Sequence, residues 1–283
     1  MDMVIPLYRA EETERQKEVS TQLGKYLLEQ FSIPGFRSHA TVALIDRDRI
    51  QFYHANHSVI LVSSAIDFGT NDTKDGLDKL IATVIAFSRL SLRNNGILHN
   101  KIFEANENLV VSKRNPDFMD IQKGNTLTFG KDEKGKEIKL TYGKLISREP
   151  SLSGRSTSVL HAASDYWKGL DLVVKISWPS SSRVSETKFL EAAIKAAKDT
   201  PNKWALNHLP ALLFQRDVVF DLNSTNGKVA DLFKNANIVN GKYVYEERTL
   251  RILVQERLYP LTTLKNVKDI AQVILDVACS KRF

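Results

Sequence analysis

The sequence has a single cysteine, Cys279, and only three methionines in 283 residues. One cysteine excludes an intrachain disulfide and a cysteine-based zinc site. No apolar run reaches the roughly 20 residues that cross a bilayer. The opening stretch, MDMVIPLYRAEETERQK, lacks the apolar segment of a secretory signal. An intracellular protein, in cytoplasm or nucleus and without a membrane partner, is the default expectation. Internal repeats and low-complexity linkers are missing as well. The six histidines, His39, His54, His57, His99, His161 and His208, show no metal-ligand spacing, so no metal ligand is assigned. His54 and His57 flank a turn and read as surface residues. No Ser-His-Asp set or nucleophile elbow is present.

What remains is the composition of an ordinary globular chain, 42% hydrophobic and 26% charged. Its length suits one large domain or two. The net charge of +7 tolerates nucleotides, nucleic acid or acidic peptides and selects none of them. Lys131, Lys134 and Lys136 alternate with acids and read as a solvated turn, so nucleic acid is not the expected partner.

Hydrophobic spacing predicts a helix over 13–31, with Val19, Leu23, Tyr26, Leu27 and Phe31 on one stripe, stopped by the Ile-Pro-Gly at 33–35. Residues 41–64 are β-branched and aromatic and predict two or three antiparallel strands. A second helix is expected over 74–92, with Leu77, Leu80, Ile81, Val84, Ile85 and Leu92 inward and residues 94–96 ending it. Short strands are expected at 109–111, 126–129 and 138–140, with a charged hairpin turn at 130–136. A further strand is expected from 145. The fold class is α+β: an N-terminal α+β region, 1–143, followed by a second unit, 144–283, with the boundary inside 141–150 and no linker between them.

The second unit opens on Gly154. Two candidate strands follow, the second at 170–178, then a polar turn and a helix from Glu186 to about residue 198. Lys175 stands inside the apolar run LDLVVKISW. A lysine there costs stability unless its ammonium meets an anion; the alternative is an edge-strand lysine whose stem lies on apolar surface. Glu186, eleven residues on, opens the helix, with Phe189 and Leu190 turned inward beside it; the alternative is an acid favoured by the helix macrodipole and capped by Ser185. Glu191 is the rival partner for Lys175. The loop SLSGRSTS has one glycine, Gly154, and Ser156 occupies the place of a second. Strands are also expected at 218–221, 238–245 and 249–258, and a helix at 267–279.

Together these parts resemble the fungal-type protein kinases, relatives of eukaryotic protein kinases with a family-specific N-terminal region. The matching stretches are GRSTSVLHA from Gly154, LDLVVKISWPSSSRVSETKFL from Leu170, WALNHLPALL from Trp204 and LRILVQERLYPLTTL from Leu250. Upstream, RDRIQFYHANHSVILVSSAIDF from Arg47 is similar to the family's strand pair.

The resemblance implies a kinase small lobe, its hinge and the first large-lobe helix, with ATP as cofactor. Lys175 would hold phosphates, Glu186 would hold the lysine, and Gly154, Ser156 and Thr157 would cover the phosphates. Gln255 would gate the pocket, and Glu256, Arg257 and Leu258 would line the hinge. A His-Arg-Asp catalytic loop and an Asp-Phe-Gly metal motif are both read as missing. The implied catalytic base and magnesium ligands would therefore come from a large lobe beyond these residues, and no catalytic residue is assigned. That lobe, or a protein partner, would meet the last helix through Leu264, Val267, Ile270, Val273 and Ile274. The alternative is a non-catalytic module that docks a protein.

Overall fold

The computed structural model describes residues 14–32, 36–69, 74–91, 94–98, 124–199, 206, 209–218, 220, 224–235, 245–259, 265–268 and 271–272. Helix α1, Glu14–Ser32, buries Leu23, Leu27 and Phe31 at the predicted spacing. Strands β1 (His39–Asp46), β2 (Arg49–Asn56), β3 (Ile60–Val62) and β4 (Ile66–Asp67) form one antiparallel sheet, in which β3 and β4 both pair with β2. Leu27 and Phe31 pack on Ala40 and Ala55 of this sheet. The β1–β2 turn holds Arg47 at φ 55°, in the left-handed region a tight hairpin requires.

Helix α2, Lys74–Ser88, is shorter than expected, and its stripe faces outward. Leu77, Ile81, Val84 and Ile85 are exposed. Phe87, stacked on Phe52 at 5.1 Å, ties the helix to β2. The expected stop at 33–35, the strand at 109–111 and residue 92 lie outside the described residues.

Strands β5 (Thr126–Lys131), β6 (Glu137–Glu149), β7 (Thr157–Ala163), β8 (Leu172–Ser177), β9 (Leu212–Val218) and β10 (Leu250–Glu256) form the second sheet, in the order β5-β6-β7-β8-β10-β9 and antiparallel throughout. Leu140, Leu160, Leu172, Val174, Ile252 and Val254 fill the core on one of its faces. Phe129 of β5 meets Phe214 of β9 with ring centroids 4.6 Å apart. The two edge strands therefore converge across the core and the sheet is curled. Helix α3, Glu186–Asp199, follows β8, and helix α4, Thr225–Asn235, follows β9.

The α+β expectation holds. The expected unit boundary, between 143 and 144, falls inside β6, which runs unbroken from 137 to 149. The strand expected at 218–221 lies earlier in the chain, as β9. Helix α4 was not expected, because its second and third residues are Asn226 and Gly227, a pair that reads as a turn. It is capped by Ser224, whose Oγ accepts from the Gly227 amide at 3.0 Å. The strand expected at 238–245 lies outside the described residues except for Tyr245, which is not in a strand. Of the last helix, residues 267, 268, 271 and 272 are helical and Val267 is 78% exposed; the other named residues, Leu264, Ile270, Val273 and Ile274, lie outside. Among the described residues no helix is long and apolar enough to cross a membrane.

Candidate functional site

Alternation along β8 sends Leu172, Val174 and Ile176 into the core and Lys175 to the opposite face, beneath α3. Lys175 Nζ donates to Glu186 Oε1 at 2.5 Å, and the two side chains are 30% and 53% exposed. At that exposure the pair orients the lysine more than it stabilises the fold. Glu186, not Glu191, is the partner. The neighbouring strands place further polar groups on the same face: Thr187 Oγ1 donates to Gln215 Oε1, and Arg251 binds Asp217 through two bonds of 2.8 Å. Asp217 holds Arg251 firmly in its charged form.

This polar face explains one correction. Phe189 was expected to turn inward beside Glu186; it is 64% exposed, and Ala197 is the buried residue of α3. Beneath α3 the strands present Lys175, Gln215 and Arg251 beside Leu253, and polar bonds of Glu186 and Thr187 hold the first turn of the helix, with Phe189 outward. Between helix and sheet lies an open groove of about 310 Å³, lined by Glu186, Phe189, Leu190, Leu212, Leu253 and Gln255. In register, Lys175 lies opposite Val159 of β7 and Leu253 of β10, so the lysine stands between the loop strand and the strand leading to residues 256–258.

The loop before β7 has two left-handed residues. Gly154 has φ 139°, and an added Cβ would come within 2.8 Å of Ser151 Oγ. Ser156 has φ 38°, a region that glycine occupies freely and serine does not. The backbone thus keeps the shape of a loop with two glycines while the sequence supplies one. Ser156→Gly is expected to raise stability by about 1 kcal/mol, since relief of left-handed strain exceeds the added unfolded-state entropy; urea denaturation measures it. Any decrease in stability would show that the serine side chain, not the backbone, sets the loop.

The loop is held from behind. The Gly154 amide donates to the His57 carbonyl at 3.4 Å, and the Trp178 amide donates to the Arg155 carbonyl at 2.6 Å. The His57 ring lies between Phe31, at 4.7 Å, and Trp178, at 4.4 Å. Arg148, at the end of β6, donates to the carbonyls of Phe31 and Ser32 at 2.6 and 2.8 Å. It thereby satisfies the free carbonyl end of α1.

His57 was expected at the surface; it is 3% exposed. His54 is also mostly covered, hydrogen-bonded to Thr41 Oγ1 at 3.0 Å. Burial pushes both imidazoles down to about 4; for His57 the carbonyls of Arg37 and Ser151 partly oppose the shift. A turn with two histidines reads as polar surface. The signal for its burial was in another part of the sequence, the Trp178 that follows β8.

The strand end expected to act as a hinge is partly engaged. The Glu256 amide donates to the Ala211 carbonyl and the Arg257 amide to the Asp171 carbonyl. Arg257 and Tyr259 also reach the Asp171 carboxylate, which the Tyr259 hydroxyl foremost holds below the usual carboxylate range. Glu256 and Leu258 are exposed. An Asp-Phe-Gly sequence does occur upstream of the lysine strand, as Asp67, Phe68 and Gly69. It lies at the end of β4 in the other sheet, where Asp67 faces Arg49 at 3.5 Å, well before the strand lysine in the chain. It is therefore not the magnesium motif, which follows the catalytic loop. Among the described residues no group of three His, Cys, Asp or Glu side chains is placed to hold a metal.

A lysine on the third strand counted from the one entering a glycine turn, paired with the first glutamate of the next helix, in an antiparallel sheet, is the arrangement of a protein-kinase-like small lobe. The chain belongs to the fungal protein kinase family, whose model, described as Fungal protein kinase, matches residues 2–208. No curated protein and no solved structure matches the chain.

Proposed function

We propose that this chain is the nucleotide-binding part of an ATP-dependent protein kinase of the Ser/Thr type. The observation that carries the reading is the Lys175–Glu186 ion pair, built from β8 and the first turn of α3. Lys175 binds the phosphates as a point charge, and Glu186 keeps its ammonium in place. Ser156 and Thr157 offer hydroxyls and backbone at the loop. Gly154 contributes shape rather than its amide, which faces His57. Leu258 offers backbone to the base, since the Glu256 and Arg257 amides are engaged.

ATP supplies the phosphoryl group, and magnesium would be held by large-lobe residues. The residues after Glu186 provide neither a catalytic base nor a metal motif, so this chain by itself binds without transferring. The setting proposed is intracellular. The test is titration of the purified chain with a fluorescent ATP analogue. Lys175→Met is expected to weaken affinity at least about tenfold, the loss of one charge-assisted phosphate contact of roughly 1.5 kcal/mol or more. Equal affinity in a folded Lys175→Met chain would remove the lysine from the site.

A second reading, a non-catalytic module that docks a protein or a large lobe, is favoured by the open groove under α3 and by the exposure of Phe189, Leu258 and Val267. Light scattering that gives a monomer at high concentration, with no partner captured on the Phe189 face, counts against it.

A further inference from the structure

The first turn of α3 is tied to the second sheet by two adjacent side chains. Glu186 bonds Lys175 of β8, and the next residue, Thr187, donates through Oγ1 to Gln215 Oε1 of β9. Strand β10 lies between β8 and β9, so the two ties are two strand spacings apart, about 10 Å. In register, Leu253 of β10 stands opposite both Lys175 and Gln215, which puts the three residues in one row across the sheet. The helix start straddles that row and is held at both ends of it.

The ion pair does not hold the turn by itself. Its side chains are 30% and 53% exposed, and a pair so open to water adds little stability. Apolar packing does not hold it either: Phe189 is exposed, and Leu190 and Leu253 line an open groove. The buried residue of the helix, Ala197, lies about three turns further on. The partly buried Thr187–Gln215 bond is therefore the tie that stops the first turn from swinging away from β9 and taking Glu186 with it. A hydroxyl pairs with a side-chain amide in either orientation, donating to its oxygen or accepting from its nitrogen, so the tie does not depend on how Gln215 is turned. Glu186 also acts electrostatically on a second cation of the same face, Arg251. Asp217 engages that guanidinium with two bonds of 2.8 Å, which leaves the Glu186 carboxylate to Lys175.

We propose that Thr187 and Gln215 are a pair of positioning residues for the nucleotide site: their bond sets the first turn of α3 and so holds Glu186 against Lys175. The consequence for nucleotide affinity rests on the proposed function; the placement of Glu186 does not. Valine matches threonine in β-branching and nearly in helix propensity, so Thr187→Val removes the hydroxyl and little else.

The experiment follows the carboxyl carbon of Glu186 by NMR in a labelled chain without nucleotide. Lys175→Met sets the scale by moving this signal to its unpaired position. Thr187→Val and Gln215→Leu are each expected to produce most of the same displacement, and Thr187→Ser, which keeps the hydroxyl, to restore the original signal. With the fluorescent ATP analogue, Thr187→Val weakens affinity about fivefold, the worth of one hydrogen bond. Added to Glu186→Gln, it weakens affinity no further, because it acts through the glutamate. A Glu186 signal that stays in place in Thr187→Val overturns the proposal. So does a signal that Lys175→Met fails to move, a displacement that Thr187→Ser shares, or a full fivefold loss on top of Glu186→Gln. Should Lys175→Met leave ATP affinity unaltered, the nucleotide reading falls, and the carboxyl signal alone decides the positioning role. If Gln215→Leu does not fold, the contrast between valine and serine at residue 187 decides it.

Discussion

Trp178→Ala is expected to cost about 4 kcal/mol of stability, in the usual range for emptying a buried tryptophan site. Trp178 is 3% exposed and stacks on His57 at 4.4 Å and on Phe220 at 5.7 Å. Its ring joins three parts of the molecule: the turn after β2, the core of the second sheet and the segment after β9. The surrounding aromatics are too large and too firmly paired to collapse into the space, so the cavity term adds to the lost burial. The change is also local to the candidate site, because the same residue's amide holds the Arg155 carbonyl and Lys175 lies three residues upstream. Faster hydrogen exchange at the loop amides should accompany the loss. Urea denaturation measures the stability change, and Trp178→Phe should recover about half of it. A cost below about 1 kcal/mol would mean that the stack contributes little and the two sheets are held together elsewhere.

Acidification gives the second large effect. The folded protein holds His54 and His57 down at about 4, against 6.5 when exposed, chiefly through burial, and His39 is lowered in the same direction. A base with a depressed folded pKa is bound to a proton in the unfolded chain first. Its contribution is therefore fully present above pH 6.5 and is lost as pH falls toward 4. A shift of that size corresponds to about 3 kcal/mol for each of the two residues. Asp132 and Asp171 have carboxyl groups held below their usual range, the first chiefly by the Lys136 amide and the second by Tyr259, so their contributions fade only at lower pH. The pH 6.5 to 4.5 window thus belongs to the histidines. Denaturation midpoints across that window should fall steeply in the unmodified chain, and His57→Leu should flatten the slope by roughly one proton. An unchanged slope in that variant would place the buried proton balance elsewhere.

The parts legible in the sequence were those with strong local patterns. Helix α1 follows its stripe except at Tyr26, which is exposed, β1 and β2 follow their β-branched runs, and β8 and α3 follow the apolar run around Lys175 and the helix start at Glu186. The ion pair was readable because its two members lie on adjacent elements eleven residues apart. What escaped was set by packing between distant segments. The burial of His57 depends on Trp178, more than a hundred residues away, and α2 meets the first sheet through Phe87 on Phe52 while Leu77, Ile81 and Ile85 stay exposed. Helix α4 escaped because Asn226 and Gly227 conceal its start, and the exposure of Phe189 because the polar groups that hold the first turn of α3 come together only once β8, β9 and β10 are side by side.

Strand β6 begins within what looked like a family-specific region and ends at the loop of the kinase-like one, with Arg148 near its far end holding the carbonyls of α1. A segment beginning at residue 144 would start in mid-strand, leave β5 behind and strand a guanidinium without its acceptors. The unit that can be inherited, transplanted or recombined intact is therefore larger than a kinase small lobe. A genetic exchange that preserves this lobe has to carry the helix and strands upstream of it as well, so the two stretches travel as one piece.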